Sequence, residues 1–329
     1  SEMCIRDSNY IDFNILNINF KSIIFVKRLM KKNIAIITGG DSEEYNISLL
    51  SAKSVYQNLN KKKFNLYIIE FHKNNWILKS ENGNVITSDN KFSLMIDNQE
   101  IRINNIFMAI HGPPAENGEI QSFFDKRKIK YTCCNSEVSS LTFDKFKCNN
   151  FLSQLGYNTS KSILIDIKKN QNKLLIDLKY PIFVKPNKAG SSNGISKISA
   201  NDSLENAIVH ASKHDNEIII EEMISGIELS CGVITINDKI KALPITEIIS
   251  ENEFFDYDAK YNNQSKEITP ANISRELTEK IKKTSEKIYK DLSLKGICRI
   301  DYILDGKIPY VIEINTIPGF TEKSIIPQQ

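Results

Sequence analysis

Residues 33–38 form a short apolar run, Asn-Ile-Ala-Ile-Ile-Thr, that stops at Gly39-Gly40. A run of this length with β-branched residues, closed by paired glycines, reads as a buried strand entering a tight turn. Ile47, Leu50, Val55 and Leu59 follow at helical spacing, then a second strand over 64–71 and another over 106–110 that ends at His111-Gly112. A helix over 119–126 and a strand over 130–132 complete the series. This alternation predicts an α/β unit with a parallel sheet up to about residue 133. Ligands of such sheets collect beyond the carboxyl ends of the strands, where both glycine turns lie.

The pattern changes downstream. One helix is expected over 142–155, strands over 163–165, 182–185, 195–198 and 217–222, and a helix over 203–212, which together suit a compact α+β unit. Residues 227–249 read as two long strands, 275–292 as a helix, and 298–304 with 309–314 as a hairpin turning at Asp305-Gly306. The expected division is 30–133, 134–224 and 225–329. Residues 1–29 are read as an extension outside the native protein, which starts at Met30. The 329 residues carry 41% hydrophobic and 25% charged side chains, and a formal net charge of +3. Such a balance argues against a nucleic-acid or anionic-membrane partner. The six cysteines contain no C-x-x-C pair, so reduced thiols in the cytoplasm are expected, and no apolar run approaches membrane-spanning length.

Chemistry gathers in three places. Arg299-Ile300-Asp301 and Glu313-Ile314-Asn315 lie on the two arms of the hairpin, where alternation puts Arg299 with Asp301 and Glu313 with Asn315 on shared faces. Two carboxylates and an amide are hard oxygen ligands that suit Mg²⁺; an exposed strand face is the plainer reading. The apolar neighbours Ile300, Tyr302, Val311, Ile312 and Ile314 favour the metal, because acids inside a core need a counter-ion. Lys185 opens a Gly/Ser loop reaching Gly194 whose N–H groups can wrap phosphate, although such runs are also linkers; it is neither a P-loop nor a dinucleotide fingerprint. Glu221-Glu222-Met223-Ile224, with Glu228 beyond Gly226, is either a surface edge or an adenine slot.

In this order the segments resemble the ATP-grasp superfamily, and the flanking motifs narrow the resemblance to the D-alanine–D-alanine ligases. Those motifs are Gly39-Gly40-Asp41-Ser42-Glu43-Glu44, His111-Gly112 with Glu116-Asn117-Gly118 and Gln121, Asp144-Lys145, residues 255–261 around Lys260-Tyr261, and Glu313-Ile314-Asn315-Thr316 with Pro318-Gly319, Thr321 and Ser324. The likeness covers about residues 32–327. It implies an ATP-grasp fold: an N-terminal parallel α/β domain followed by two α+β ATP-grasp subdomains, with a further family helix beyond Gln329.

The implied activity is ATP-dependent joining of two D-alanines through an acyl phosphate, for peptidoglycan precursor synthesis, by a cytoplasmic homodimer. Two Mg²⁺ (or Mn²⁺) ions would be held by Asp301, Glu313 and Asn315. ATP would be bound by Lys145, Lys185, Ser192, Lys260, Glu221, Met223, Ile224 and Glu228. Glu44 and His111 would hold the first D-alanine and Ser324 the second. Arg299 and the Gly319 N–H would steady the oxyanion, and Ser191 and Tyr261 would link to Glu44. Ala115, Asn117, Tyr45 and Asn46 stand where the family usually carries Gly, Asp, Arg and Glu. Another ATP-grasp carboxylate–amine ligase, a D-alanine–D-lactate ligase, or an inactive nucleotide-binding homologue are the alternatives.

Overall fold

β1 (Lys32–Gly39) is flanked by strands on both sides and covered on both faces, with Ala35, Ile36 and Ile37 fully buried. That environment accounts for an unbroken apolar run where a half-exposed strand would alternate. The computed structural model describes residues 31–88, 90–169, 177–190, 193–250 and 265–329. After β1 come α1 (Tyr45–Asn58), β2 (Phe64–His72), β3 (Asn75–Leu78), β4 (Asn84–Ser88), β5 (Lys91–Ile96), β6 (Gln99–Arg102), β7 (Asn105–Met108), α2 (Glu119–Lys126) and β8 (Lys130–Tyr131). The first sheet runs β3-β2-β1-β7-β8, parallel except for the edge strand β3. Gly39 and Gly40 both have positive φ, +94° and +99°. A Cβ on Gly39 would lie 2.4 Å from the Phe71 carbonyl oxygen, and one on Gly40 2.7 Å from Ile110 Cγ2. Only glycine lets the chain leave β1 this tightly.

The parallel sheet follows the sequence reading, but strands β3 to β6 were not anticipated. β4, β5 and β6 form a separate antiparallel sheet. Its β5–β6 hairpin, like the β2–β3 hairpin, uses a polar turn: Asp97-Asn98 and Lys73-Asn74 both sit at positive φ, the conformation that two-residue hairpin loops demand.

The second expected change concerns the helix placed over 142–155. It is two helices, α3 (Ser136–Phe143) and α4 (Lys145–Gln154), broken at Asp144. Asp144 adopts extended backbone and its Oδ1 accepts from the Lys147 N–H at 3.0 Å, an N-cap that starts a new helix. The same oxygen accepts from Asn187 Nδ2 at 2.9 Å. β9 (Ser162–Asp166), β10 (Ile182–Pro186), β11 (Ser196–Ile198), α5 (Leu204–Ala211) and β12 (Glu217–Glu222) follow, with the antiparallel sheet ordered β11-β10-β12-β9. Its core pairs Ile182, Val184, Ile218 and Ile220 with Ala207 and Ala211 of α5.

β13 (Ile227–Ile236), β14 (Lys239–Ser250), β15 (Ser265–Ile268), α6 (Arg275–Asp291), β16 (Ile297–Asp305), β17 (Ile308–Asn315) and the short α7 (Ile325–Gln328) complete the chain. This antiparallel sheet runs β15-β14-β13-β16-β17. Cys298, Ile300, Tyr302 and Leu304 point from β16 into a core shared with Ile281 and Ile288 of α6 and Leu152 of α4. Period-two alternation therefore sends Arg299 and Asp301 to the opposite face. Among the described residues, no helix is long and apolar enough to cross a membrane.

Asp144→Ala should cost about 1–2 kcal/mol, the sum of a lost cap and a lost buried hydrogen bond. Burial works against the charged form of Asp144, but Asn187, the Lys147 N–H and the Lys147 ammonium outweigh it and hold the carboxyl below its ordinary range. Its contribution is thus present above the ordinary carboxylate range and lost as pH falls through the lowered value. Urea unfolding at pH 7 and near pH 3 checks this: the gap between wild type and variant should shrink at the lower pH.

Candidate active site

The hairpin register sets the centre of the site. Arg299 stands opposite Asn315, and Asp301 opposite Glu313, with a bulge immediately after that pair. Bulges near functional sites re-aim side chains, and here the two carboxylates lie side by side. Arg299 Nε donates to both Asp301 oxygens at 2.9 and 3.1 Å, and its Nη2 to Oδ2 at 2.7 Å. Glu313 lies 3.9 Å from the same guanidinium and 3.6 Å from Lys145 Nζ. Burial opposes the charge on Arg299, but the carboxylates of Asp301, Glu313 and Glu116 raise its pKa and keep it ionised. On β13, Ser230 lies in register with Asp301 and donates to its Oδ1 at 2.6 Å. Half-buried Glu228, two residues along, is pushed up to about 8 by desolvation and by Asp301 and Glu313, against the pull of Arg299.

The central sheet supplies lysines. Lys185 and Glu221, both nearly inaccessible, form a buried pair between β10 and β12; an ammonium so placed needs a partner and keeps further N–H donors. Lys145, first residue of α4, donates to the Ala189 carbonyl at 2.7 Å. The Met223 N–H is engaged by the Pro181 carbonyl at 3.0 Å, so a purine edge would meet neighbouring backbone groups such as those of Ile224.

The N-terminal sheet closes the cleft. Glu44 precedes α1 without capping it, and its carboxylate reaches the glycine loop: a Cβ on Gly190 would lie 2.7 Å from Glu44 Oε2. Glu44, Glu116, Lys145, Gly190, Arg299, Glu313 and Asn315 line one cleft. His111 is buried beside it, and both ring nitrogens are hydrogen-bonded to protein: Nδ1 lies 3.0 Å from the Ile317 carbonyl and Nε2 2.9 Å from Ser51 Oγ. Ser324 Oγ accepts from the Thr321 N–H at 3.1 Å and lies 2.8 Å from Thr321 Oγ1. Ser191, Ser192, Lys260 and Tyr261 lie outside the described residues. Ser230, Ser51 and Asn187 are contributors that sequence reasoning missed; a lone Ser or Asn carries no signal until register puts it beside a charge or an N–H.

The four departures are absorbed locally. Tyr45 packs edge-on against His72 with centroids 5.3 Å apart. The buried Ala115 offers its carbonyl to Gln121 at 2.6 Å. Asn117 Oδ1 accepts from the Glu119 N–H at 3.2 Å. Asn46 is exposed.

Among the described residues, no trio of His, Cys, Asp or Glu side chains gathers as a metal cage. The available set is Asp301, Glu313 and the Asn315 amide. Two neighbouring carboxylates and an amide at the rim of a cleft suit Mg²⁺, which keeps waters and phosphate oxygens instead of filling its shell with protein.

Three sheets meeting around lysines, an acidic hairpin and a glycine loop define an ATP-grasp protein, and the solved structures it resembles agree. VanG D-Ala:D-Ser ligase from Enterococcus faecalis superposes with a TM-score of 0.78 at 31% identity, covering 91% of this chain and 94% of that one. D-alanyl-alanine synthetase A from Vibrio cholerae gives 0.77 at 27%, covering 91% and 92%. Residues 33–134 match the family described as D-ala D-ala ligase N-terminus, and 154–329 its C-terminus. D-alanine–D-alanine ligases of Flavobacterium johnsoniae and Bacteroides fragilis are 45% and 40% identical to this chain, each covering 91% of it and 93% and 94% of the relative. The chain belongs to the D-alanine–D-alanine ligase family.

Arg299→Met leaves Asp301 without its ion-pair partner and should cost about 3 kcal/mol in urea unfolding. Adding Asp301→Asn should recover part of that loss, since the stranded charge is gone. Wild-type stability for Arg299→Met alone would mean that the pair is solvent-screened.

Proposed function

We propose that the protein uses ATP to join two D-alanine molecules, activating the first carboxylate as an acyl phosphate. The observation that carries this reading is the convergence of Lys145, Arg299 and Glu313 with Glu44 around one cleft, with Asp301 paired to Arg299. A carboxylate is a poor electrophile because its oxide is a very poor leaving group; phosphorylation converts that oxygen into one that departs as phosphate. Phosphoryl transfer in turn depends chiefly on alignment and charge neutralisation.

In this reading Lys145 and Lys185 hold the ATP phosphates, while Glu221, Met223, Ile224 and Glu228 surround the adenosine. Asp301, Glu313 and Asn315 would hold Mg²⁺ or Mn²⁺, which when bound neutralises charge on the transferring phosphoryl group. Glu44 takes the ammonium of the first D-alanine, near His111, and brings its carboxylate towards the phosphate. Ser324 takes the carboxylate of the second. Arg299 and the Gly319 N–H face the oxygen that becomes negative when the second amine attacks; donors of this kind are worth about 3–4 kcal/mol each. The same reading makes the protein a cytoplasmic homodimer supplying peptidoglycan precursors, with the substrate side built from 30–133 and the nucleotide side from 134–329.

Purified protein with ATP and Mg²⁺ should release ADP when D-alanine is added and stay near background with L-alanine. D-Serine and D-lactate, offered as second substrates with D-alanine, test the choice of acceptor. Glu313→Gln keeps the shape but removes a charge, and should reduce ADP release by about two orders of magnitude or more, commensurate with the several kcal/mol a metal supplies. D-alanine-independent ADP release, or a Glu313→Gln variant near the wild-type rate, would count against the proposal.

A further inference from the structure

Residues 317–320 are held against the N-terminal sheet at two points. Ile317 is 2% exposed and belongs to the core of that sheet, and the Phe320 ring meets Phe107 edge-on at 5.4 Å. Polar bonds run alongside. Ser51 Oγ, fully buried on α1, accepts from the Phe320 N–H at 3.2 Å and lies 2.9 Å from His111 Nε2. His111 Nδ1 lies 3.0 Å from the Ile317 carbonyl. A carbonyl oxygen only accepts, so Nδ1 carries the proton and donates to Ile317; when the ring is neutral, Nε2 is then an acceptor and the Ser51 hydroxyl donates to it. The His111 backbone is pinned as well, its N–H donating to Ser48 Oγ at 2.9 Å and its carbonyl accepting from Ser42 Oγ at 2.9 Å.

We infer that Ser51 is a positioning residue for the ligation reaction: its hydroxyl orients His111 and, with it, clamps residues 317–320 on either side of Gly319. One anchor is the carbonyl two residues before Gly319 and the other the N–H immediately after it, so the direction of the Gly319 N–H follows from the clamp. Ser51 itself touches no substrate in this assignment, which rests on Gly319 serving as an oxyanion donor. Misaiming such a donor weakens the transition state more than it weakens nucleotide binding, because the oxyanion exists only after attack.

The test has two independent arms. In protein labelled with ¹⁵N-histidine, long-range ¹H–¹⁵N spectra at neutral pH, without substrates, should show His111 in the Nδ1–H tautomer, beside His72, whose Nδ1 lies 2.9 Å from the Gly40 carbonyl. The His111 signal should disappear in His111→Gln. An Nε2–H tautomer, which would set a ring lone pair against the Ile317 carbonyl, overturns the clamp, whatever the protein catalyses. In the second arm, Ser51→Ala should shift the His111 Nε2 resonance, which loses its hydrogen bond, and lower kcat for dipeptide formation about tenfold, while KM for ATP moves by less than about twofold. A kcat equal to wild type, or a loss confined to KM for ATP, overturns the positioning role. If wild type does not ligate D-alanine at all, the functional reading fails, and the tautomer still decides the clamp.

Discussion

Asp301 is 8% exposed, yet it sits within reach of Glu313 and adds to the desolvation that pushes Glu228 up to about 8. Clustered carboxylates in a partly dry cleft cannot all remain ionised without compensation. The fork of Arg299 on both Asp301 oxygens supplies the first compensation and Ser230 the second, each held by strand register. Lys145 supplies a third from a different element, its ammonium between Glu313 and the Ala189 carbonyl. The hard oxygens of Asp301, Glu313 and the Asn315 amide suit a divalent cation, which would supply charge neutralisation for phosphate.

The geometry depends on small polar side chains that tie the three sheets to one another. Asn187 is fully buried: its Oδ1 accepts from the Phe146 N–H at 2.9 Å and its Nδ2 donates to Asp144 at 2.9 Å, joining the glycine loop to the start of α4. Lys145 is therefore aimed by the same contacts that break the helix at Asp144. On the other side, Ser48, Ser51 and His111 join α1 to the segment after β17. Each bond is individually worth only about 1 kcal/mol, but a buried donor or acceptor left unpaired costs more.

Much of this was legible in the chain. The unbroken apolar run of β1 and its glycine pair announced a buried parallel strand. The alternation around Arg299, Asp301, Glu313 and Asn315 announced a polar face on a core hairpin. The strands from Asn75 to Arg102 were illegible because their turns use Lys73-Asn74 and Asp97-Asn98 in place of glycine, and because short strands in a small sheet bury little. Asp144 read as a residue within a helix because capping becomes visible only when its carboxylate is seen on the Lys147 N–H. His111 was legible as a residue at the ligand edge, whereas its bonds to Ser51 and to Ile317, a residue 206 positions away, exist only in the fold.

The proposed function has these contacts serve the conversion of a carboxylate oxygen into a leaving group, and that oxygen can be followed. D-alanine carrying ¹⁸O in its carboxylate should be incubated with ATP, Mg²⁺ and the protein, and the released phosphate analysed by mass spectrometry. If the first substrate is activated as an acyl phosphate, each phosphate formed with dipeptide carries one oxygen from D-alanine. Phosphate free of ¹⁸O, formed in step with dipeptide, would contradict activation by phosphoryl transfer to the carboxylate.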